Sequence, residues 1–292
     1  INFNQIVLND RNITVDTFPM GIDYDKFWDA AQNHHKLKTN QVSDLQKQLN
    51  LHIDSLPSNK LILSIDRLDY TKGIVNRILA FEIFLETFPQ YKEKVRLVML
   101  AVPSRSDVPQ YKKLKRQTDE IVGRVNGKFS TVNWTPIWYF YRSMSFDNLI
   151  DLYTSSDIAM ITPVRDGMNL VAKEYVSTRI FKKGVLILSE MAGASQEMNE
   201  AILVNPNDLN SLANSIKKAV EMPINDQITR NTILQKRLKR YNVHKWANDF
   251  MSSLLKTEIQ SDSIKSIVIG IKENKKIVSS FKNAKNRLLF FD

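Results

Sequence analysis

The segment that decides the fold is residues 158–174, which read IAMITPVRDGMNLVAKE. It opens with a short apolar run at residues 158–162, typical of a strand. It continues into a helical pattern at residues 169–178. Between the two lie charged residues and Gly167, one of only 8 glycines in the chain. A strand that passes through a glycine turn into a helix is the repeating unit of an α/β sheet.

The same alternation extends to both sides of this segment. Short apolar runs predict strands at residues 61–65, 95–102, 135–140, 158–162, 184–189 and 201–204. Helical periodicity predicts helices at residues 74–88, 107–122, 146–155, 169–178, 208–220, 224–241 and 243–255. Most of the strands are apolar throughout, which predicts an α/β fold with a Rossmann-like parallel sheet and helices on both faces.

The composition excludes several classes of protein. At about 150 residues per domain, 292 residues predict one or two domains. No apolar run approaches the roughly 20 residues that span a bilayer, and no signal peptide precedes the fold, so we expect a cytoplasmic protein with no membrane partner. The absence of cysteine excludes disulfides and cysteine nucleophiles, and the four histidines lack the spacing of a zinc site, so we expect no metal.

The net charge of +10 leaves two interpretations open: a solvated lysine-rich surface, or attraction of anionic ligands such as phosphorylated small molecules. The positive charges are scattered rather than arranged in a stripe, and no module combines aromatic and basic residues. We therefore expect no nucleic-acid partner.

Parallel sheets bind ligands in the loops at the carboxyl ends of their strands. The loop after the first strand, residues 66–73, carries Arg67 and Lys72 just before a helix, a combination that favours phosphate. The alternative is that two neighbouring aspartates, Asp66 and Asp69, neutralise these cations. The loop after the second strand carries Arg105.

Arg105 precedes a helix that we expect Ser106 or Asp107 to cap. Local chemistry leaves open whether Arg105 belongs to a capping network or contacts a ligand.

The third loop follows residues 158–162. Its backbone N–H groups fan out at a helix start and predict an anion site, at Gly167, Met168, Asn169 and Leu170. Asp166 lies beside this site, and an acid there suits a ligand with both hydroxyls and phosphates, such as a nucleotide sugar. Glu174, one helical turn along, can accept hydrogen bonds from ribose hydroxyls. The alternative is that Asp166 is the helix N-cap and Glu174 a surface residue.

Five segments together resemble the trehalose-6-phosphate synthase family, glycosyltransferase family 20. They are DRLDYTKG at residues 66–73, GRVNGK at 123–128, WTP at 134–136, DGMNLVAKE at 166–174 and SEMAGA at 189–194. The resemblance is collinear over about residues 10–255. It implies the GT-B fold, in which two Rossmann-like domains face a cleft, and this chain is similar to the C-terminal half.

The resemblance implies transfer of glucose from UDP-glucose to glucose 6-phosphate with retention, giving trehalose 6-phosphate and UDP. Arg67 and Lys72 would neutralise the diphosphate, Asp166 would hold glucose hydroxyls, Glu174 the ribose, and Arg105 the acceptor phosphate. The catalytic set would be Arg67, Lys72 and Asp166, with no covalent nucleophile and no cofactor. The backbone N–H groups that would assist glucose and phosphate are those of Gly167, Met168, Asn169 and Leu170.

The resemblance also predicts domain boundaries. Residues 1–30 would link to a missing N-terminal Rossmann-like domain, residues 31–257 would bind UDP-glucose, and residues 258–292 would be a linker and the start of a truncated phosphatase. Residues 266–271 do not resemble the synthase fold. Residues 287–292, RLLFFD, resemble the first strand of haloacid-dehalogenase-type phosphatases, with Asp292 at the position of the nucleophile.

We therefore expect the donor-binding half of a bifunctional synthase/phosphatase, inactive alone. Three alternatives stay open: a transferase that prefers GDP-glucose or ADP-glucose, a glycogen-synthase-like role, and a non-catalytic module that senses sugar phosphates or scaffolds a partner. A homo-oligomer is left open as well.

Overall fold

The computed structural model describes residues 4–8, 11–37, 43–55, 59–265 and 270–285. The chain divides into two compact units, one of Pro19–Lys245 and one of Ile1–Phe18 with Trp246–Asp292. The predicted phosphatase-like strand at residues 287–292, and most of the segment at 266–271, lie outside the described residues. The domain boundaries expected from the resemblance stay a prediction.

The strands are β1 (Gln5–Leu8), β2 (Arg11–Thr14), β3 (Lys60–Arg67), β4 (Val95–Val102), β5 (Ile137–Tyr141), β6 (Ile158–Ile161), β7 (Val185–Ser189) and β8 (Ile202–Val204). The helices are α1 (Tyr24–His35), α2 (Asp44–Ser55), α3 (Ile74–Thr87), α4 (Pro109–Phe129), α5 (Phe146–Ser155), α6 (Leu170–Ser177), α7 (Leu209–Val220), α8 (Ile224–Arg240), α9 (Val243–Lys265) and α10 (Ile271–Asn283). All six predicted strands and all seven predicted helices are therefore confirmed.

Several elements differ from the prediction. Helices α1, α2 and α10 and the strands β1 and β2 were not predicted, and α9 extends past residue 255. Helix α4 begins at Pro109, after Val108, so the prediction that Ser106 or Asp107 caps it is wrong. The reason is that a proline at the first helical position has a backbone angle already suited to the helix, and its missing N–H is one that a helix start leaves without a partner anyway.

The smaller unit contains an antiparallel hairpin of β1 and β2, with Gln5 opposite Thr14. In the same unit the rings of Phe18 and Phe250 meet edge to face, with centroids 5.2 Å apart. The indole Nε1 of Trp246 donates a hydrogen bond to the Phe18 carbonyl at 3.0 Å.

The larger unit is built on a six-stranded sheet in the order β5-β4-β3-β6-β7-β8, with every pair parallel. The chain builds outward from β3 to β5, then returns to the other side of β3 with β6, which makes β3/β6 the topological switch point. These two strands pair only through Ile62 with Ile158 and Leu63 with Ala159. Beyond those pairs the two strands share no further pairing, and sheets with this strand order bind ligands in a crevice at the switch point.

Helices cover both faces of the sheet. On one face, alternate strand residues such as Ile62 and Met99 pack in a core with Phe81 of α3. On the other face, Leu63 of β3 packs in a second core with Tyr153 of α5. The strands in the middle of the sheet are buried on both sides, so their sequences are mostly apolar. Among the described helices, none is long and apolar enough to cross a membrane.

Gly73 fixes the path of the chain where β3 leads into α3. A 3₁₀ turn at Tyr70–Lys72 ends at Gly73, whose φ of 67° lies in the left-handed region. A Cβ placed on Gly73 would lie 2.4 Å from the carbonyl oxygen of Thr162, at the end of β6. A glycine here is therefore required both by backbone conformation and by the close approach of the two loops.

We expect Gly73→Ala to lower the free energy of unfolding by at least about 2 kcal/mol, because it adds a positive-φ penalty to a backbone clash. The matched control is Gly123→Ala in α4, where a Cβ meets nothing within 4 Å. That control should raise stability by about 0.5–1 kcal/mol, since alanine favours a helix interior. Urea denaturation measures both, and an unchanged midpoint for Gly73→Ala would contradict the account.

Candidate functional site

The loops singled out from the sequence come together at one edge of the sheet. Because the sheet is parallel, the residues that follow β3, β4 and β6 lie at the same edge. The loops after β3 and β6 are joined by the backbone: the N–H groups of Val164 and Arg165 both donate to the Thr71 carbonyl, at 2.9 and 3.2 Å. The structure therefore brings the Lys72 turn and the Asp166 loop together.

The ammonium of Lys72 and the carboxylate of Asp166 form an ion pair across these loops, with Nζ 2.5 Å from Oδ2. The Asn169 amide also donates to Asp166 Oδ2, at 3.0 Å. Asn169 itself is the N-cap of α6, with a φ of 70° and its Oδ1 accepting from the Ala172 N–H. The alternative that Asp166 caps this helix is therefore wrong.

The backbone N–H groups of Gly167, Met168, Asn169 and Leu170 donate no hydrogen bond to any residue that the structure describes. The loop is instead held from its carbonyl side: Gly193 N–H donates to Asp166 and Ala194 N–H to Met168, at 3.1 and 2.9 Å. Gly193 has no room for a side chain, because a Cβ would lie 2.0 Å from the Gly167 carbonyl oxygen. Free N–H donors at a helix start are the kind of groups that bind anions.

The side chain of Arg67, the last residue of β3, is exposed and has no hydrogen bond or ion pair with the described residues. Two aspartates were the alternative partners for Arg67 and Lys72, but Asp66 pairs with Arg77 and Asp69 bonds to Thr71. That alternative is therefore wrong. The guanidinium of Arg67 therefore keeps its N–H donors unused among the described residues.

Arg77 of α3 was not predicted from the sequence, yet it organises the crevice. Its side chain is fully buried, and its Nε and Nη1 donate to the hydroxyls of Thr162 and Ser64 at 3.1 and 2.6 Å. Its Nη2 donates to the carboxylate of Asp66 and to the backbone carbonyl of Lys72. Burial raises the pKa of the Asp66 carboxyl, and the guanidinium opposes that rise. Arg77 thus bridges β3 and β6 beyond their last backbone pair.

Arg105 is connected to the Lys72 turn through two side chains. Asp69 Oδ1 accepts from the N–H and hydroxyl of Thr71, at 2.9 and 2.8 Å, and Oδ2 accepts from the Tyr111 hydroxyl at 2.9 Å. Arg105 Nη1 in turn donates to the Tyr111 hydroxyl oxygen at 3.1 Å. Burial acts to raise the pKa of Asp69, but the hydrogen bonds from Thr71 and Tyr111 hold it below its ordinary value.

Glu174 of α6 is half-buried, and its Oε2 accepts a hydrogen bond from the Tyr153 hydroxyl at 2.6 Å. The alternative that it is a plain surface residue is therefore wrong. Burial raises the pKa of Glu174, while the Tyr153 hydrogen bond and the charge of Lys26 act to lower it.

No group of three or more His, Asp or Glu side chains able to hold a metal ion occurs in the part of the chain that the structure describes. The candidate site therefore consists of cations, free backbone donors and two carboxylates, a set suited to a ligand with phosphates and hydroxyls.

Known proteins resemble this chain in sequence and in fold. The sequence model of glycosyltransferase family 20 matches residues 2–256. A bifunctional trehalose-6-phosphate synthase/phosphatase of Thermoproteus tenax is 40% identical over 294 aligned positions, covering 100% of this chain and 39% of that protein. The UDP-forming alpha,alpha-trehalose-phosphate synthase of Schizosaccharomyces pombe is 41% identical, covering 86% of this chain and 47% of the relative. The chain thus spans less than half the length of these relatives.

Two solved structures share the fold. A UDP-forming synthase of Burkholderia xenovorans in complex with glucose-6-phosphate superposes with a TM-score of 0.80 at 35% identity, covering 86% of this chain and 54% of that one. An E. coli structure bound with UDP-2-fluoro glucose superposes with a TM-score of 0.77 at 31% identity, covering 86% and 55%. The predicted Rossmann-like half of a GT-B fold is confirmed.

We expect Arg77→Met to lower the free energy of unfolding by about 3–5 kcal/mol, because it leaves the buried Asp66 carboxylate unpaired. The control is Lys47→Met, which breaks an exposed pair with Asp44 and should cost less than about 0.5 kcal/mol. Chemical denaturation of the two variants measures the difference. Equal, small losses would show that Arg77 does not hold the crevice together.

The lowered pKa of Asp69 predicts how stability varies with pH. Folding lowers this pKa, so the ionised Asp69 carboxylate adds to the free energy of unfolding. This contribution is fully present above the unfolded pKa and is lost as the pH falls through the folded pKa. Asp69→Asn should be less stable than the parent by about 1 kcal/mol at pH 7. The stabilities of the two chains should begin to approach each other as the pH falls below about 4, the ordinary aspartate pKa, and should meet below the folded pKa of Asp69.

Thermal or urea unfolding at a series of pH values tests this expectation. Asp44→Asn, at an aspartate whose side chain is 93% exposed, is the control and should follow the parent at every pH. A stability difference between Asp69→Asn and the parent that persists unchanged into acid would contradict the assigned role of the carboxylate.

Proposed function

Because the chain belongs to glycosyltransferase family 20, we propose that it holds the donor UDP-glucose in the crevice between β3 and β6. The observation that carries this proposal is a set of unused hydrogen-bond donors at one place. The guanidinium of Arg67 and the amides of residues 167–170 have no partner among the described residues, and Lys72 lies beside that loop. Phosphate oxygens are the acceptors that such a combination binds best.

The reaction that we propose is the one for which the relatives are named, formation of alpha,alpha-trehalose phosphate with release of UDP. Glucose passes from the diphosphate oxygen of UDP-glucose to the anomeric oxygen of glucose 6-phosphate with retention, and the proton of that hydroxyl is released. Negative charge develops on the departing diphosphate, where Arg67 and Lys72 stabilise it. No covalent nucleophile is needed on this chain.

The ion pair between Lys72 and Asp166 gives each residue a second role in this proposal. A diphosphate brings more negative charge to Lys72 than one carboxylate does, so donor binding draws the ammonium toward the phosphates. Asp166 is then free to accept hydrogen bonds from glucose hydroxyls. The amide of Asn169, bonded to the same carboxylate oxygen, keeps Asp166 oriented during this exchange.

Arg105 is the residue that we propose for the phosphate of glucose 6-phosphate. Its hydrogen bond to Tyr111, and the bond of Tyr111 to Asp69, connect it to the turn that carries Lys72. The chain spans about half of the solved structures that it resembles, so we propose that a second Rossmann-like domain supplies the rest of the acceptor site. Alone, the chain binds the donor and turns over little or nothing.

We further propose that the reaction takes place in the cytoplasm and that the parent protein carries a phosphatase region, as the name of the Thermoproteus relative suggests. A non-catalytic module that senses sugar phosphates is the second candidate function. The presence of Arg67, Lys72, Asp166 and Glu174 favours the enzyme, because a scaffold has no need of a complete set of groups around a diphosphate.

Calorimetric titration with UDP, UDP-glucose, GDP-glucose and ADP-glucose tests the proposal. We expect UDP to bind and Arg67→Ala to weaken it by at least about tenfold, since charge-assisted hydrogen bonds to phosphate contribute about 1.5–3 kcal/mol. Asp166→Asn should reduce the affinity for UDP-glucose more than that for UDP, because only the sugar nucleotide offers glucose hydroxyls.

The matched control is Arg116→Ala, which removes an equally exposed guanidinium from α4. It should leave the UDP affinity unchanged if Arg67 acts locally rather than through net charge. Equal losses in the Arg67 and Arg116 variants would point to nonspecific attraction, and tighter binding of GDP-glucose or ADP-glucose would revise the donor.

A further inference from the structure

The contact between Tyr153 and Glu174 joins two helices at the edge of the proposed donor site. Tyr153 lies on α5 and Glu174 on α6, and the tyrosine hydroxyl is 2.6 Å from Glu174 Oε2. The side chain of Tyr153 belongs to the second core and is 1% exposed. A hydroxyl carried on a buried ring is a fixed donor, unlike one at the end of an exposed side chain.

The direction of this hydrogen bond is defined by its chemistry. Burial and the neighbouring charges of Glu174 and Asp66 raise the pKa of Tyr153, so it stays protonated and donates. A carboxylate can only accept. The other oxygen of Glu174, Oε1, accepts no hydrogen bond from any residue in the described part of the chain. One carboxylate oxygen is therefore occupied and the other is available.

The protein also prevents Tyr153 from moving away. Its ring meets that of Phe27 edge to face, with centroids 6.5 Å apart. Its backbone carbonyl accepts a hydrogen bond from the buried guanidinium of Arg179. Both the ring and the backbone of Tyr153 are thus fixed, and the orientation of the Glu174 carboxylate follows from them.

We propose that Tyr153 is a positioning residue that holds Glu174 so that its free oxygen accepts a hydrogen bond from a ribose 2′-hydroxyl. The pair would thereby select ribonucleoside over 2′-deoxyribonucleoside diphosphates. This inference rests on the proposed donor site. Without the tyrosine hydroxyl the carboxylate group can rotate, and it loses the donor that compensates for its partial burial. A site built around a substrate hydroxyl discriminates against the analogue that lacks it.

The competing explanation is that the Tyr153 hydroxyl only stabilises the core. Tyr175 offers a matched control, because it is also a fully buried tyrosine with a bonded hydroxyl. That hydroxyl donates to the Asp157 carbonyl at 2.9 Å and has no contact with Glu174. Tyr175→Phe and Tyr153→Phe each remove one buried hydroxyl and keep the ring. A property that changes in Tyr153→Phe but not in Tyr175→Phe therefore depends on the contact with Glu174.

The first test uses no nucleotide. Carboxyl ¹³C NMR of the 292-residue chain follows the titration of Glu174, whose signal is identified by its loss in Glu174→Gln. Tyr153 and Lys26 are the groups that lower the pKa of Glu174 against burial. Tyr153→Phe should therefore raise this pKa further, while Tyr175→Phe should leave it unchanged. An unchanged Glu174 titration in Tyr153→Phe would overturn the positioning role.

The second test compares the dissociation constants of UDP and 2′-deoxy-UDP. We expect the parent chain to prefer UDP by about tenfold, the value of one charge-assisted hydrogen bond. Tyr153→Phe should reduce this preference for UDP toward the smaller one of Glu174→Gln. Tyr175→Phe should keep the preference of the parent chain. Equal weakening of both nucleotides in Tyr153→Phe, or no preference in the parent, would overturn the inference.

The two tests separate this inference from the proposed function. If the parent chain binds neither nucleotide, the proposed donor site is contradicted, and so is the proposed selection of ribose. The carboxyl titration still decides whether Tyr153 orients Glu174. If UDP binds and is weakened by Arg67→Ala but the 2′-hydroxyl makes no difference, the donor site stands and the role of Tyr153 is rejected.

Discussion

The buried guanidinium of Arg77 holds together the two strands between which the proposed donor site lies. β3 and β6 share only two paired positions, and beyond them Arg77 bonds to Ser64 and Asp66 on β3 and to Thr162 after β6. A parallel pair that separates at its carboxyl end would otherwise leave unpaired polar groups in the interior. One side chain thus satisfies polar groups on both sides of the switch point.

This arrangement also explains why Arg67 keeps its guanidinium unpaired among the described residues. Asp66 would be the natural partner for Arg67, but it is occupied by Arg77, and Asp69 is occupied by Thr71 and Tyr111. The exposed guanidinium therefore faces no carboxylate of its own loop. In the proposed site a buried arginine, Arg77, fixes the loops, and an exposed one, Arg67, is left for the ligand.

Much of the fold was predictable because the strands of a parallel sheet are covered on both faces. Such strands appear in the sequence as short continuous apolar runs. The loop residues followed from the rule that ligands bind at carboxyl strand ends. Helices α1 and α2 were not predicted, although the apolar residues of α2 recur at helical spacing. The Lys72–Asp166 pair could not be predicted, since 94 residues separate its partners. Arg77 carried a readable signal: it sits beside Ile74 and Ile78 on the buried side of α3, where an arginine must find partners.

The measurement that tests the central claim most directly is a ¹H–¹⁵N correlation spectrum of the chain during titration with UDP. If the diphosphate binds at the switch point, the amide signals of Gly167, Met168, Asn169 and Leu170 should move together, because their N–H groups gain acceptors. The amides of Asp157 and Gly184, at the opposite edge of the sheet, should stay in place. Shifts confined to that opposite edge, or no shifts at saturating UDP, would contradict the account.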